Sequence, residues 1–166
     1  MGTSESKRHA GRMWLMKIVN LYPPFLGAGI RVRRCGPEKR GFEVRMRLTA
    51  FNRNVVGTHF GGSLYAMCDA FFALILIEQL GPGYVVWDKA AVIRFVRPGR
   101  GTVRAVFEIA PERIAEIRRA AETGAVVEPE LRAVVLDESG EVVAEVDKTL
   151  YVRRRRTDAG DSAGRP

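Results

Sequence analysis

A chain of 166 residues that is 46% hydrophobic can bury one ordinary globular core without help from a metal or a disulfide, and its length does not ask for a second domain. Its two cysteines, Cys35 and Cys68, have neither zinc-site nor disulfide-framework spacing, so both read as reduced core thiols and no metal centre is expected. The net charge of +8 admits an acidic partner, but part of the excess lies in Arg153-Arg154-Arg155-Arg156 and most other arginines alternate with apolar residues; with no aromatic-basic interleaving, nucleic acid is not the expected partner.

The N-terminus lacks an apolar leader core with a small-residue cleavage site, which argues against a signal peptide or anchor and for a cytoplasmic protein. Residues 7–21 place Trp14, Leu15, Ile18, Val19 and Leu21 on one side of an amphipathic helix that Tyr22-Pro23-Pro24 ends. The segment from Ile30 to Cys35 and the alternating run Phe42, Val44, Met46, Leu48 form a strand pair around Gly36-Pro37-Glu38. Next comes the stretch on which the chain is organised, from Asn54 to Leu80. After Gly61 and Gly62, Ser63 to Leu80 reads as one helix of about five turns, apolar on every side and therefore buried or in a membrane. Its uncharged run, Ala70 to Ile77, is far short of the roughly 20 residues that a bilayer needs, so a core helix is expected and no membrane span.

Gly81-Pro82-Gly83 stops that helix. Strands near 85–96 and 102–110 follow, read as a hairpin around Arg97-Pro98-Gly99-Arg100-Gly101. Pro111 then opens a short charged helix whose few anchors, Ile114 and Ile117, mark it as an excursion from the core. Leu131–Leu136 and Val142–Val152 are strands of a last hairpin, turned at Asp137-Glu138-Ser139-Gly140, and the tail from Arg153 is expected to be disordered. The sum is an α+β fold in which a curved antiparallel sheet of about six strands wraps around one central helix.

Asp69 is the anomaly in that helix, because a lone carboxylate in an apolar core costs several kcal/mol unless it is paired, hydrogen-bonded or protonated. The glycines Gly61 and Gly62 leave unpaired backbone N–H groups at the positive end of the helix dipole, a field suited to a developing oxyanion. The run Asn54-Val-Val-Gly57-Thr-His59-Phe60-Gly61-Gly62, with Asp69 seven residues further on, resembles the hot-dog-fold superfamily. Within it, the chain is similar to the phenylacetyl-CoA-type acyl-CoA thioesterases and to a related family of uncharacterised hot-dog proteins.

The resemblance covers residues 30–152, leaving 1–29 as an N-terminal helical extension and 153–166 as a basic tail. In those thioesterases the pattern is Asn-x-x-Gly-x-x-His-Gly-Gly followed by an acidic helix residue; here Phe60 occupies the histidine slot and His59 sits one residue early. The resemblance implies Asp69 as general base or nucleophile, the Gly61 and Gly62 amides as oxyanion donors, Asn54 orienting water or carbonyl, and His59 as a further catalytic candidate. Gly57 and Phe60 would face the substrate, while Arg97, Arg100 and Arg153 would meet the phosphates of coenzyme A. Coenzyme A enters only as part of the substrate, and no separate cofactor is implied. Two sheet edges left open by a single chain call for a homo-oligomer, at least a dimer, with each site completed by the opposite subunit. The alternative is a protein that binds or senses acyl thioesters without hydrolysing them, as the displaced histidine suggests.

Overall fold

The computed structural model describes residues 19–155. The expected helix face at Trp14 and Leu15, and the tail beyond residue 155, lie outside the described residues. Helix α1 (Pro23–Ala28) ends at Gly29, whose φ of 71° turns the chain directly into strand β1. Six strands follow: β1 (Ile30–Cys35), β2 (Gly41–Arg47), β3 (Tyr84–Phe95), β4 (Thr102–Phe107), β5 (Glu130–Leu136) and β6 (Val142–Arg154). They form one antiparallel sheet in the order β1-β2-β4-β5-β6-β3.

The period-2 pattern of the strands sorts residues to two faces, and the concave one carries the core. Ile30 and Val32 of β1, Phe42, Val44 and Met46 of β2, and Val103, Ala105 and Phe107 of β4 point inward; so do Ala133 and Val135 of β5 and Val146, Leu150 and Val152 of β6. Against this face lie helices α2 (Gly61–Ala66) and α3 (Phe71–Leu80). Phe71 is the keystone, its ring 5.9 Å from that of Phe25, 5.3 Å from Phe42 and 5.0 Å from Phe107. A curved antiparallel sheet wrapped on a central helical segment is the hot-dog architecture.

Three expectations are corrected. The single helix from Ser63 to Leu80 is two helices, broken across Met67–Ala70, where Cys68 N–H reaches the Tyr65 carbonyl at 2.8 Å and Asp69 N–H the Ala66 carbonyl at 3.4 Å, three residues back instead of four. No proline or glycine lies in the break. It falls instead where Asp69 pairs with the sheet, a contact that local propensity does not reveal. The stretch Gly61–Leu80 would pass for a membrane crossing by length and composition, but 56% of it is buried within this fold.

The second correction concerns β3 and β4, which are not a hairpin. β3 pairs only with β6, over eleven residue pairs, and residues 97–101 carry the chain across to β4 in the middle of the sheet. That connection is held by the Val143 carbonyl, which accepts from Val96 and Arg97, and by the Gly101 carbonyl, which accepts from Leu48. The third concerns helix α4 (Pro111–Ala121), which belongs to the core. Ile114, Ile117 and Ala121 are buried, and the Arg118 guanidinium donates to the Gln79 and Leu80 carbonyls at the end of α3. Three apolar anchors at helical spacing suffice for a narrow buried stripe, which the charged face concealed in the sequence.

Among the thiols, Cys68 is buried at the helix break as expected, whereas Cys35 is only half-buried at the end of β1.

Candidate active site

The loop between β2 and α2 is built by two asparagines. Asn52 is buried: its Oδ1 accepts from Thr49 N–H at 2.7 Å and its amide donates to the Ala28 and Arg47 carbonyls, both at 2.7 Å. Asn54 spends its side chain within the loop, its Oδ1 accepting from Val56 and Thr58 N–H at 3.1 and 3.0 Å and its amide donating to Thr58 Oγ1 at 2.9 Å and the His59 carbonyl at 3.3 Å. Such an Asx-turn sets the loop's path. Gly57, at φ 82°, supplies the left-handed residue that closes the turn back on Asn54. Asn54 is thus the loop's organiser, with no hydrogen-bonding capacity left over for a substrate.

The loop delivers the chain to the start of α2. Phe60 is the N-cap, and its carbonyl accepts from both Ser63 and Leu64 N–H, at 3.0 and 3.1 Å. The N–H groups of Gly61 and Gly62 are the first two of the helix, where no intrahelical acceptor exists, and no side chain caps them. A side chain at either glycine would push against an exposed aromatic ring. A Cβ on Gly61 would stand 3.0 Å from the Phe95 ring, and one on Gly62 would stand 2.5 Å from the Phe60 ring. A cleft of about 420 Å³ opens here, lined by Asn54, Thr58, His59, Gly61, Leu64 and residues 95–99.

His59 is buried, not displayed on a loop surface. Its backbone N–H donates to the Gly99 carbonyl at 3.0 Å, its Nε2 lies 3.2 Å from the Gly101 carbonyl and must carry the proton to bond there, and its Nδ1 is buried without a partner. Burial holds its pKa below 6.5, only partly offset by the bond to Gly101. The imidazole therefore serves as a strut between this loop and the crossover. Because the folded form binds the proton less readily than the unfolded chain, stability from this group is present above pH 6.5 and is lost as pH falls toward the folded-state pKa. Urea unfolding of wild type should show a lower midpoint at pH 5 than at pH 7.5, and His59→Gln should flatten that difference; an unchanged difference would free His59 from this role.

Asp69 sits at the break between α2 and α3 and is neither lone nor fully buried. Its side chain is 49% exposed, and its Oδ1 accepts from the Lys148 ammonium at 2.9 Å. Lys148, on β6, is 0% exposed and was missed from sequence. It also lies 3.4 Å from the Tyr65 hydroxyl and 3.0 Å from Asp88 Oδ1, close enough for an ion pair though without a well-directed hydrogen bond. Burial alone would lower the Lys148 pKa, but the carboxylates of Asp69 and Asp88 beside it reverse this and move it up. Burial likewise pushes the Asp88 carboxyl up, with Lys148 partly offsetting it. The signal for Lys148 was present: it occupies the inward phase of β6, between Val146 and Leu150, where a lysine needs counter-ions.

The structure brings His59, Gly61, Leu64, Phe95 and Arg97 to one cleft but leaves Asp69 off it. Asp69 lies beyond the end of α2, in the break before α3, and is not among the residues that line the cleft beside the Gly61 amide. Of the arginines, Arg97 lies at the cleft and ion-pairs with Glu141 at 2.6 Å, and Arg100 is exposed three residues on. Arg153 is far from both in the same chain: it pairs with Val85 at one end of β3, whereas Arg97 follows the other end, roughly 30 Å away at strand rise.

Comparison with known proteins adds the following. A family model described as a domain of unknown function, DUF4442, matches residues 11–152, beginning inside the segment that precedes β1. No curated protein matches the chain. Among solved structures, a Pseudomonas aeruginosa protein of unknown function described as a probable thioesterase superposes with a TM-score of 0.77 at 23% identity, over 87% of this chain and 96% of that one. A thioesterase from Haemophilus influenzae gives 0.63 at 15% identity, over 88% and 92% of the two chains. The E. coli PaaI protein of the phenylacetic acid degradation operon gives 0.55 at 18% identity, over 86% and 93%. At these identities the likeness establishes the shared fold.

Proposed function

The chain belongs to the DUF4442 family, and from that premise we propose that it hydrolyses the thioester of an acyl-CoA or a similar carrier at a site shared between two chains. The observation that carries this reading is the separation within one chain of the two halves of the chemistry: unpaired amides at Gly61 and Gly62 beside the cleft, and a half-exposed carboxylate at Asp69 off the cleft, beyond the end of α2. Each half lacks its complement. Strand β3 supplies the means of joining them, since it is a twelve-residue edge strand whose Trp87, Val92 and Phe95 are exposed. Pairing β3 with its copy about a two-fold axis buries that edge and sets the carboxylate of one chain toward the amides of the other.

In this site the thioester carbonyl accepts hydrogen bonds from Gly61 and Gly62 N–H. Asp69 of the other chain takes a proton from the attacking water or attacks as a carboxylate, and the negative charge that develops on the carbonyl oxygen is met by the amides and the helix dipole. Arg97 and Arg100 of the amide-bearing chain are the arginines placed to meet phosphates of the carrier. The names of the fold neighbours, a probable thioesterase, a thioesterase and a phenylacetic acid operon protein, agree with this substrate class.

A second reading has an observation behind it. Phe60 stands where the resembling enzymes place histidine, and the imidazole of His59 is buried with its Nε2 committed to the Gly101 carbonyl. A protein of this kind could bind acyl thioesters without turning them over. Purified protein incubated with acyl-CoAs of varied acyl group and a thiol reagent decides between the two. We expect release of free coenzyme A well above the uncatalysed rate for at least one acyl class; saturable acyl-CoA binding without thiol release would favour the binding protein.

A further inference from the structure

Lys148 has no place in the resemblance from which the hydrolase reading began, yet it is the most deeply buried charge in the described structure. A buried ammonium is tolerated only with close counter-ions, and this one has two carboxylates, Asp69 at 2.9 Å and Asp88 at 3.0 Å, on either side. The two acids differ in surroundings: Asp69 is half-exposed at the helix break, whereas Asp88 is more enclosed on the inner face of β3. Tyr65 and Cys68 complete the titratable surroundings, the first 3.4 Å from the ammonium and the second a buried thiol pushed up to about 12 by burial. Neither ionises near neutrality, so the cluster carries one cation and two carboxylates.

We propose that Lys148 is the positioning residue for Asp69, fixing one carboxylate oxygen so that the other faces the substrate, and that Asp88 is the counter-ion that keeps Lys148 charged when Asp69 loses its own charge during turnover. When Asp69 takes a proton from water, or loses its charge by bonding to the acyl carbon, the ammonium would be left unpaired in the core without Asp88. With Asp88 present it retains a carboxylate partner at every stage. The inference rests on the hydrolase reading for the reaction served, and on the geometry alone for the pairing.

Two substitutions should lower kcat and spare KM. In Lys148→Met the Asp69 carboxylate is no longer held, so kcat should fall by roughly tenfold or more. In Asp88→Asn the ammonium loses its second carboxylate, so kcat should fall as well. Lys148→Arg, which keeps the charge, should recover part of the kcat lost in Lys148→Met. KM should change less than twofold in all three, because Lys148 and Asp88 do not line the acyl cleft.

The pairing is measured without turnover by titrating the Lys148 side chain in 13C-labelled protein, assigned with Lys148→Met. A downward displacement of its titration in both Asp69→Asn and Asp88→Asn establishes it, because both acids hold the ammonium in its charged form. A Lys148 resonance that titrates identically in wild type and in both variants overturns it. If wild type hydrolyses no thioester while the resonance moves as described, the pairing stands and the hydrolase reading falls.

Discussion

Asp69→Asn is expected to reduce acyl-CoA hydrolysis by roughly 10²–10⁴-fold, the range for loss of a positioned proton-transfer group. The asparagine side chain retains an oxygen to accept from Lys148 but cannot take the proton of water or attack an acyl carbon. The loss should fall on kcat, because the amides of Gly61 and Gly62 that hold the carbonyl are untouched. From sequence alone, neutralising this acid promises relief from a desolvation cost. The structure reverses that expectation: Asp69 is half-exposed and Lys148 is the buried partner, so the variant leaves the ammonium with Asp88 alone and stability should drop. Thermal melting and steady-state kinetics on the same preparation check both parts, and wild-type turnover in Asp69→Asn would remove the acid from the mechanism.

The second large effect is a rescue. Gly62→Val should also abolish hydrolysis, since its side chain displaces the exposed Phe60 ring and crowds the approach to the helix-start amides. Asp69→Asn and Gly62→Val chains, unfolded together and refolded as an equal mixture, yield hybrids as half of all dimers if they associate at random. In each hybrid one site combines the intact amides of the first chain with the intact Asp69 of the second, and the other site holds both lesions. Activity should return to about a quarter of wild type, from two inactive parents. A site contained in a single chain gives no rescue at any mixing ratio. Light scattering fixes the premise, with an expected mass of twice the 18.5 kDa chain; a mass of one chain at all concentrations excludes a shared site.

Local pattern made much of this molecule legible. The alternation Phe42, Val44, Met46 announced an inward face of β2, Gly81-Pro82-Gly83 stopped the helix where it ends, and the spacing from Asn54 to Asp69 carried the fold resemblance. What stayed hidden depends on contacts between distant residues. The break at Met67–Ala70 has no helix-breaking residue in it and coincides with a lysine 79 positions away. The pairing of β3 with β6 rather than β4 overrides a connection, Arg97 to Gly101, whose proline and glycines suit a hairpin equally well. His59 read as a loop residue because nothing nearby in sequence shows that the crossover carbonyls of Gly99 and Gly101 wait for it. Asp88 was passed over because a bulge between Asp88 and Ala90 shifts the phase of β3, so that Asp88 and Ile93 share a face that simple alternation would deny them.

The late position of β6 in the chain orders events during synthesis. β3 has no partner in the described sheet other than β6, and the ammonium that neutralises Asp69 is carried by the same strand. A nascent chain that has emerged through β5 therefore displays a long apolar ribbon with both edges unsatisfied and an acid without its cation. An unpaired strand edge of this kind is a template for pairing with another chain. β3 is also the edge on which two finished chains are proposed to meet, so premature ribbon-to-ribbon pairing and correct assembly compete for the same backbone groups. The outcome rests on how soon the last strand is released to cover one side of it.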